Sequence, residues 1–140
     1  MQSAPENESW KGFRGDPGKW AMLPQATVLA TGKDAVRFVD NFVTASVGSL
    51  PEGGGTEAFV TDARGHVMAL VTILRTATGL ELMTAQGLGE RLRDHLEHFH
   101  IREAVDLVDA SDTIGAILIA GPEAAGTLAS LMPHAATLPS

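Results

Sequence analysis

Hydrophobic residues after Pro24 either alternate with polar ones or recur at helical spacing, and the two patterns predict different elements. The predicted strands span 26–30, 57–61, 66–75, 80–84, 103–108 and 114–120, and the predicted helices span 33–43, 88–99 and 122–131. Tight turns join the second, third and fourth strands, so these strands must run antiparallel. The order β-α-β-β-β-α-β-β-α predicts an α+β fold, with a mainly antiparallel sheet and helices packed on one side.

Two of these elements have the clearest patterns. Helix 88–99 carries an apolar stripe, and its opposite face is charged. The stripe consists of Leu88, Leu92, Leu96 and Phe99. Strand 114–120 is apolar on both faces, which predicts a central strand of the sheet.

The chain divides into an arm, one domain and a tail. Residues 1–25 are rich in glycine and proline, which predicts an irregular N-terminal arm. Residues 26–132 form the predicted domain, and 133–140 form a C-terminal tail. The initial methionine and the frayed composition of the tail favour a naturally short protein.

Composition narrows the classes of function. The 140 residues suit one domain, and the absence of cysteine excludes disulfides, a thiol nucleophile and thiolate metal sites. A net charge of −7 argues against a nucleic-acid partner. No apolar run approaches 18 residues, so no membrane partner is expected, and the N-terminus lacks the features of a secretion signal. We therefore expect a cytoplasmic protein.

Histidines form the densest cluster of metal-capable groups. His95 and His98 lie three residues apart, so they can share one face of a helix, and His100 follows near the helix end. The stripe already defines the inward face, which favours solvated surface histidines and predicts no metal site. A metal-dependent protein built on His95 and His98 is the alternative.

Other polar groups have simpler structural explanations. Residues 53–55 are three glycines, but a strand follows them where a phosphate loop needs a helix. Three carboxylates in and after strand 103–108 suit a strand edge and a turn, and these are Asp106, Asp109 and Asp112. Spacing alone therefore predicts no catalytic residues.

Four segments, taken in order, resemble the folate-binding domain shared by YgfZ-type proteins and the aminomethyltransferase (T-protein) of the glycine cleavage system. Residues 32–50 resemble its opening G-x-D-A/R-x-x-F-L pattern, and 58–67 its strand–turn–strand. Residues 96–109 are similar to its L-x-x-Y-x-I-x-x-x-V-x-L-x-D segment, and 118–128 to its strand–G-P–helix step. The resemblance covers about residues 26–132, which correspond to roughly the first half of that domain.

The chain departs from the family where the family's chemistry lies. The family's T-N-D tripeptide is Thr44-Ala45-Ser46 here. The aminomethyltransferases have a pterin-contacting Asp pair where this chain has Met68 and Ala69, which cannot match a pterin edge as a carboxylate does. The YgfZ-type signature K-G-C-Y/F-x-G-Q-E is absent, since the chain has neither Cys nor Tyr.

The resemblance therefore implies a non-catalytic protein that binds tetrahydrofolate or a folate-like molecule, or that acts as an assembly scaffold. The implied site is the turn at 62–66, which contains Asp62, Arg64 and His66. There Arg64 would pair with a glutamate-tail carboxylate, and Asp62 would accept a hydrogen bond from a pterin-like amine. A plain hairpin turn with solvated charges is the alternative.

A half-domain leaves an apolar sheet face uncovered, and self-association is the simplest cover. We therefore expect a homodimer. The alternative is one subunit of a tetrahydrofolate-dependent aminomethyltransferase or one-carbon transfer complex, in which a partner supplies the missing half-domain.

Overall fold

The structure is a computed structural model that describes residues 19–132, and the chain divides into two compact units. In chain order the elements are β1 (Lys19–Leu23), β2 (Gln25–Thr31), α1 (Ala35–Asp40), β3 (Gly55–Thr61), β4 (Val67–Thr76), β5 (Gly79–Ala85), α2 (Gly89–His98), β6 (Asp106–Asp109), β7 (Ala116–Ala120) and α3 (Ala124–Leu131). The larger unit, Pro24–Gly115, contains β2 to β6 with α1 and α2. The described part of the smaller unit contains β1, β7 and α3. This architecture confirms the predicted α+β class with a mainly antiparallel sheet.

The larger unit is built on a five-stranded antiparallel sheet in the order β3-β4-β5-β2-β6. Strand β2 lies between β5 and β6, and its Val28 is opposite Leu82 on one side and Asp109 on the other. The three strands β3, β4 and β5 follow one another as a meander, as the short turns predicted.

One face of this sheet packs against α1 and α2 and forms the core. Alternation along β4 buries Ala69, Val71 and Ile73 on that face. Leu92 and Leu96 of the predicted stripe are buried under the same sheet, as are Ala35, Phe38 and Val39 of α1. The helical stripe therefore points inward as predicted.

The opposite face of the sheet is open. Phe59 on β3 pairs with Leu70 on β4, and the two residues are 45% and 54% exposed. Val108 on β6 is also exposed at the other edge. Phe59 and Leu70 therefore form an apolar pair on the solvent side of the sheet.

The smaller unit has no core among its described residues. Strands β1 and β7 form a two-stranded antiparallel ribbon, in which Trp20 is opposite Ile119. No residue of 20–23, of β7 or of α3 is buried. Its exposed large apolar residues are Trp20, Met22, Ile117, Leu118, Leu131 and Met132.

Two predictions about individual strands were wrong. Lys19–Leu23, placed in the irregular arm, is strand β1. Strand 114–120, predicted to be central, is β7 in the two-stranded ribbon, where Ile117 and Leu118 are exposed. An apolar run on both faces shows that a strand needs cover on both sides, but it does not show which chain supplies it. Residues 1–18 of the arm and the tail 133–140 lie outside the described residues. Within residues 19–132, no helix is long and apolar enough to cross a membrane.

Candidate functional site

The predicted site residues Asp62, Arg64 and His66 lie together in the turn between β3 and β4. The Asp62 Oδ1 atom accepts hydrogen bonds from the backbone N–H groups of Arg64 (2.8 Å) and His66 (2.9 Å). Its Oδ2 atom lies 3.1 Å from Nδ1 of His66. Gly65 has a φ of 80°, which lets the chain reverse here. The structure thus brings the three residues together in a side-chain-stabilised turn.

The turn itself already uses the Asp62 carboxylate. The N–H of His66, followed by that of Arg64 and by the His66 side chain, lowers the pKa of Asp62, so the carboxylate stays ionised. Arg64 is exposed and forms no ion pair with any other residue of 19–132. Within this turn, Arg64 is therefore the group that an anionic ligand could bind. Binding at this turn stays a prediction.

Two of the three histidines near the end of α2, His95 and His100, differ from the solvated surface groups that the sequence predicts. His95 is half-buried, and its Nε2 atom lies 3.1 Å from the carbonyl oxygen of Thr61. His100 lies 2.8 Å through Nε2 from the Glu103 carbonyl and 3.3 Å through Nδ1 from Glu97. The Glu103 carbonyl and then Glu97 raise the pKa of His100. Packing and hydrogen bonding therefore explain these two rings, whereas His98 is exposed.

No group of three metal-capable side chains comes together within residues 19–132. The carboxylate of Glu103 instead accepts the backbone N–H groups of Arg102 (3.0 Å) and Ile101 (3.1 Å). These bonds, that of Arg102 first, lower the pKa of Glu103 to about 2. Glu103 closes the loop before β6, which is a structural role.

The three aspartates near β6 also have structural positions. Asp109 accepts hydrogen bonds from the backbone N–H of Ser111 (3.0 Å) and from its hydroxyl, and that hydroxyl accepts the N–H of Thr27 at 3.1 Å. Asp106 and Asp112 are exposed. The predicted edge-and-turn explanation of these carboxylates agrees with this arrangement.

The larger unit also has an open cleft of about 730 Å3 beside the start of α1 and the β4–β5 hairpin. Its lining combines three cationic side chains with small and polar residues. The lining residues are Gly32, Lys33, Val36, Arg37, Asp40, Gly48, Arg75, Ala77, Thr78 and Gly79. We call this feature the cationic cleft.

The net charge of the cationic cleft is opposite in sign to that of the whole chain. Lys33, Arg37 and Arg75 supply three positive charges to its lining, and Asp40 supplies one negative charge. The Asp40 carboxylate is engaged, because its Oδ1 accepts the N–H groups of Val47 (2.7 Å) and Gly48 (3.2 Å). The lining is therefore net positive in a chain whose net charge is −7.

Sequence reasoning did not find the cationic cleft. Lys33 and Arg37 lie four residues apart in a predicted helix, so their common face could have been noticed. Arg75 comes from the end of β4, about 40 residues later. The hydrogen bond from Gly32 N–H to the Thr78 carbonyl (3.0 Å) ties the hairpin to the start of the helix. Only this tertiary contact reveals the third cation.

The fold of the larger unit defines an α+β domain built on a five-stranded antiparallel sheet. The structure matches that of the glycine cleavage system aminomethyltransferase T from Bartonella henselae with a TM-score of 0.66 and 17% identity, covering 79% of this chain and 31% of that one. An aminomethyltransferase from Thermotoga petrophila is 26% identical over 109 residues, which are 74% of this chain and 29% of the relative.

The family model described as the GCVT N-terminal domain matches residues 13–139. The chain therefore belongs to the GCVT N-terminal domain family, and the resemblance to the aminomethyltransferase folate-binding domain is confirmed. The chain spans about 30% of the length of the relatives it matches.

Proposed function

We propose that this protein is a non-catalytic, YgfZ-like member of the aminomethyltransferase family that binds a folate-like molecule and assembles with a second copy of itself. The observation that carries the assembly is the smaller unit, which exposes large apolar side chains and has no core among its described residues.

The described polar groups support a role without catalysis. The carboxylates of Asp62, Glu103 and Asp109 accept backbone N–H groups of their own loops. At the positions that correspond to the aminomethyltransferases' Asp pair, Met68 is half-buried and Ala69 is buried. A general base must reach the reacting proton with a free acceptor. We assign these three carboxylates to the stabilisation of their own loops and none of them to general-base catalysis.

The β1–β7 ribbon supports the assembly. An isolated two-stranded ribbon is marginal in water, and three or more strands with a covered apolar face are needed for stability. Among residues 19–132, each strand of this ribbon has one partner, so none of these residues pairs with its other edge. Trp20, Met22 and Ile117 are exposed on it. A second polypeptide that pairs with the ribbon would form hydrogen bonds with the backbone N–H and C=O groups of its edge, and it would cover these side chains.

A second copy of this chain fits the ribbon better than it fits the open sheet face. The sheet face carries Glu57 beside Thr72, and Glu81 between Leu29 and Leu74, so two copies face to face would oppose acidic groups. The described part of the smaller unit has one basic residue, Lys19, and one acidic residue, Glu123. Isologous pairing of two ribbons therefore has no net charge repulsion to overcome.

The dimer is tested by Ile117→Glu. Ile117 is 58% exposed on the ribbon, and a buried, unpaired carboxylate in the interface would dissociate the dimer. Light scattering after size-exclusion chromatography should give twice the 14.7 kDa chain mass for the original protein and the single chain mass for the variant.

Ile101→Glu is the matched control, because Ile101 is 82% exposed and belongs to the larger unit, not to the ribbon. It should remain dimeric. A monomer for the original protein at high micromolar concentration, or equal dissociation by the two variants, would contradict the proposed dimer.

The folate-like ligand is tested at the turn of Asp62, Arg64 and His66. Isothermal titration with tetrahydrofolate and with folinic acid should show binding that Arg64→Ala weakens about tenfold, the effect of losing one charge-assisted hydrogen bond. Arg102→Ala is the control, since Arg102 is also exposed but lies before β6. Absence of heat at millimolar ligand would reject folate binding by this protein.

One observation favours a second candidate, a subunit of a tetrahydrofolate-dependent one-carbon transfer complex. The chain matches only about 30% of each relative, so another polypeptide could supply the remainder. Co-purification with a chain that carries the remaining family motifs, together with aminomethyl transfer by the pair, would favour this candidate over the homodimer.

A further inference from the structure

We propose that the cationic cleft binds a small anion that carries two or more carboxylate or phosphate groups. This site is separate from the turn of Asp62, Arg64 and His66 and does not depend on the proposed folate binding. Its residues all belong to the larger unit.

The first support is the concentration of charge. Three of the ten lysines and arginines of the chain line this one cleft, although the chain as a whole is acidic. Like charges that share a cleft repel one another unless an anion lies between them. Asp40 offsets only one of the three positive charges, and its Oδ1 already accepts the N–H groups of Val47 and Gly48.

The second support is that none of the three cationic side chains forms a strong ion pair within residues 19–132. Arg75 is half-buried, and no carboxylate of residues 19–132 lies within ion-pair distance of Arg75 or Lys33. Arg37 lies 3.4 Å from Asp34, but its side chain is 79% exposed, and exposed pairs of this kind are weak. Arg37 can therefore turn toward an anion at little cost.

The third support is that two elements fix the arrangement. Backbone hydrogen bonds hold Arg75, whose N–H donates to the Gly54 carbonyl (2.8 Å) and whose carbonyl accepts the Gly53 N–H (2.9 Å). Lys33 lies in the turn before α1 and Arg37 lies within α1, and the Gly32–Thr78 hydrogen bond ties this region to the hairpin. A cleft whose cations come from two joined elements can hold several anionic groups at once, and guanidinium groups bind carboxylate and phosphate through paired hydrogen bonds.

The volume of the cleft limits the ligand. About 730 Å3 lies within the range of small-molecule sites. Three cations do not form the long basic surface that a nucleic acid requires. A compact anion with two or three charged groups matches both the space and the charge.

The experiment uses the full-length protein with citrate, a tricarboxylate, and inorganic tripolyphosphate as probes. Two-dimensional amide NMR titration should shift the signals of Gly32, Gly48 and Gly79, which line the cleft. Arg75→Gln and Arg37→Gln should each raise the dissociation constant about tenfold, as expected for the loss of one charge-assisted contact. Preference for one probe identifies the carboxylate or the phosphate source.

Arg37→Gln keeps the test decisive if Arg75→Gln does not fold, because the Arg37 side chain is mostly exposed. Arg102→Gln removes an equal charge outside the cleft and should leave binding unchanged. Equal weakening by the Arg102 and Arg37 variants would show non-specific charge attraction and overturn the proposal. Absence of shifts at the three cleft glycines with both probes would also overturn it.

Discussion

Replacing Gly32 with alanine should lower the free energy of unfolding by roughly 3 kcal/mol or more. Gly32 has a φ of 117°, a conformation that residues with a side chain rarely adopt. An added Cβ would lie 2.3 Å from the carbonyl oxygen of Ala104. That carbonyl accepts the N–H of Asp34, while the Asp34 carboxylate accepts the N–H of Ala104 at 2.8 Å. Moving the carbonyl would therefore break the link between α1 and the loop before β6.

The matched control for this change is Gly53→Ala. Gly53 has a φ of 82°, but no atom lies within 4 Å of its added Cβ, so only the backbone strain remains. We expect about 1 kcal/mol for this control. Urea unfolding of both variants at one fixed protein concentration separates the cost of backbone strain from the cost of the steric clash with Ala104. Equal losses in the two variants would contradict the close approach of Ala104.

The second large effect is expected from Leu82→Ala, which should cost about 2–5 kcal/mol of unfolding free energy. Leu82 is fully buried on β5, opposite Val28 of β2 and Ile73 of β4. Truncation leaves a cavity between strands that the sheet holds at fixed spacing, so the core can collapse only in part. Urea unfolding measures the loss directly.

Leu70→Ala is the control for Leu82→Ala, because it removes the same atoms from the open face, where Leu70 is 54% exposed. Its cost should stay below about 1 kcal/mol. A loss comparable to that of Leu82→Ala would mean that the face is covered in solution. The open face of the sheet would then be one of the contact surfaces of the assembly.

Local patterns in the sequence were enough to predict most elements of the larger unit. Turns between β3, β4 and β5 and the stripe of α2 depend on neighbouring residues, so the predicted bounds differ by only a few positions. The remaining elements depend on pairing between strands that lie far apart in the sequence. The ribbon joins Lys19 to Ala120, a separation of about 100 residues, and no local signal marks that partner.

Only part of the candidate sites could be predicted, for the same reason. Asp62, Arg64 and His66 lie within five consecutive residues, and turn chemistry alone places them together. The cationic cleft needs Arg75 beside Arg37, which depends on how the hairpin meets α1. The burial of His95 depends on its contact with Thr61, 34 residues away, which periodicity could not show.

The position of β2 has a consequence for the order in which this protein acquires its structure. Its Gln25 is opposite Ala85, and its Val28 is opposite Asp109, so both neighbours of β2 are synthesised long after it. The β3–β5 meander can form from contacts close along the chain, whereas β2 must wait with both edges unsatisfied. During translation β2 is therefore the strand of the five-stranded sheet that stays open to mispairing the longest.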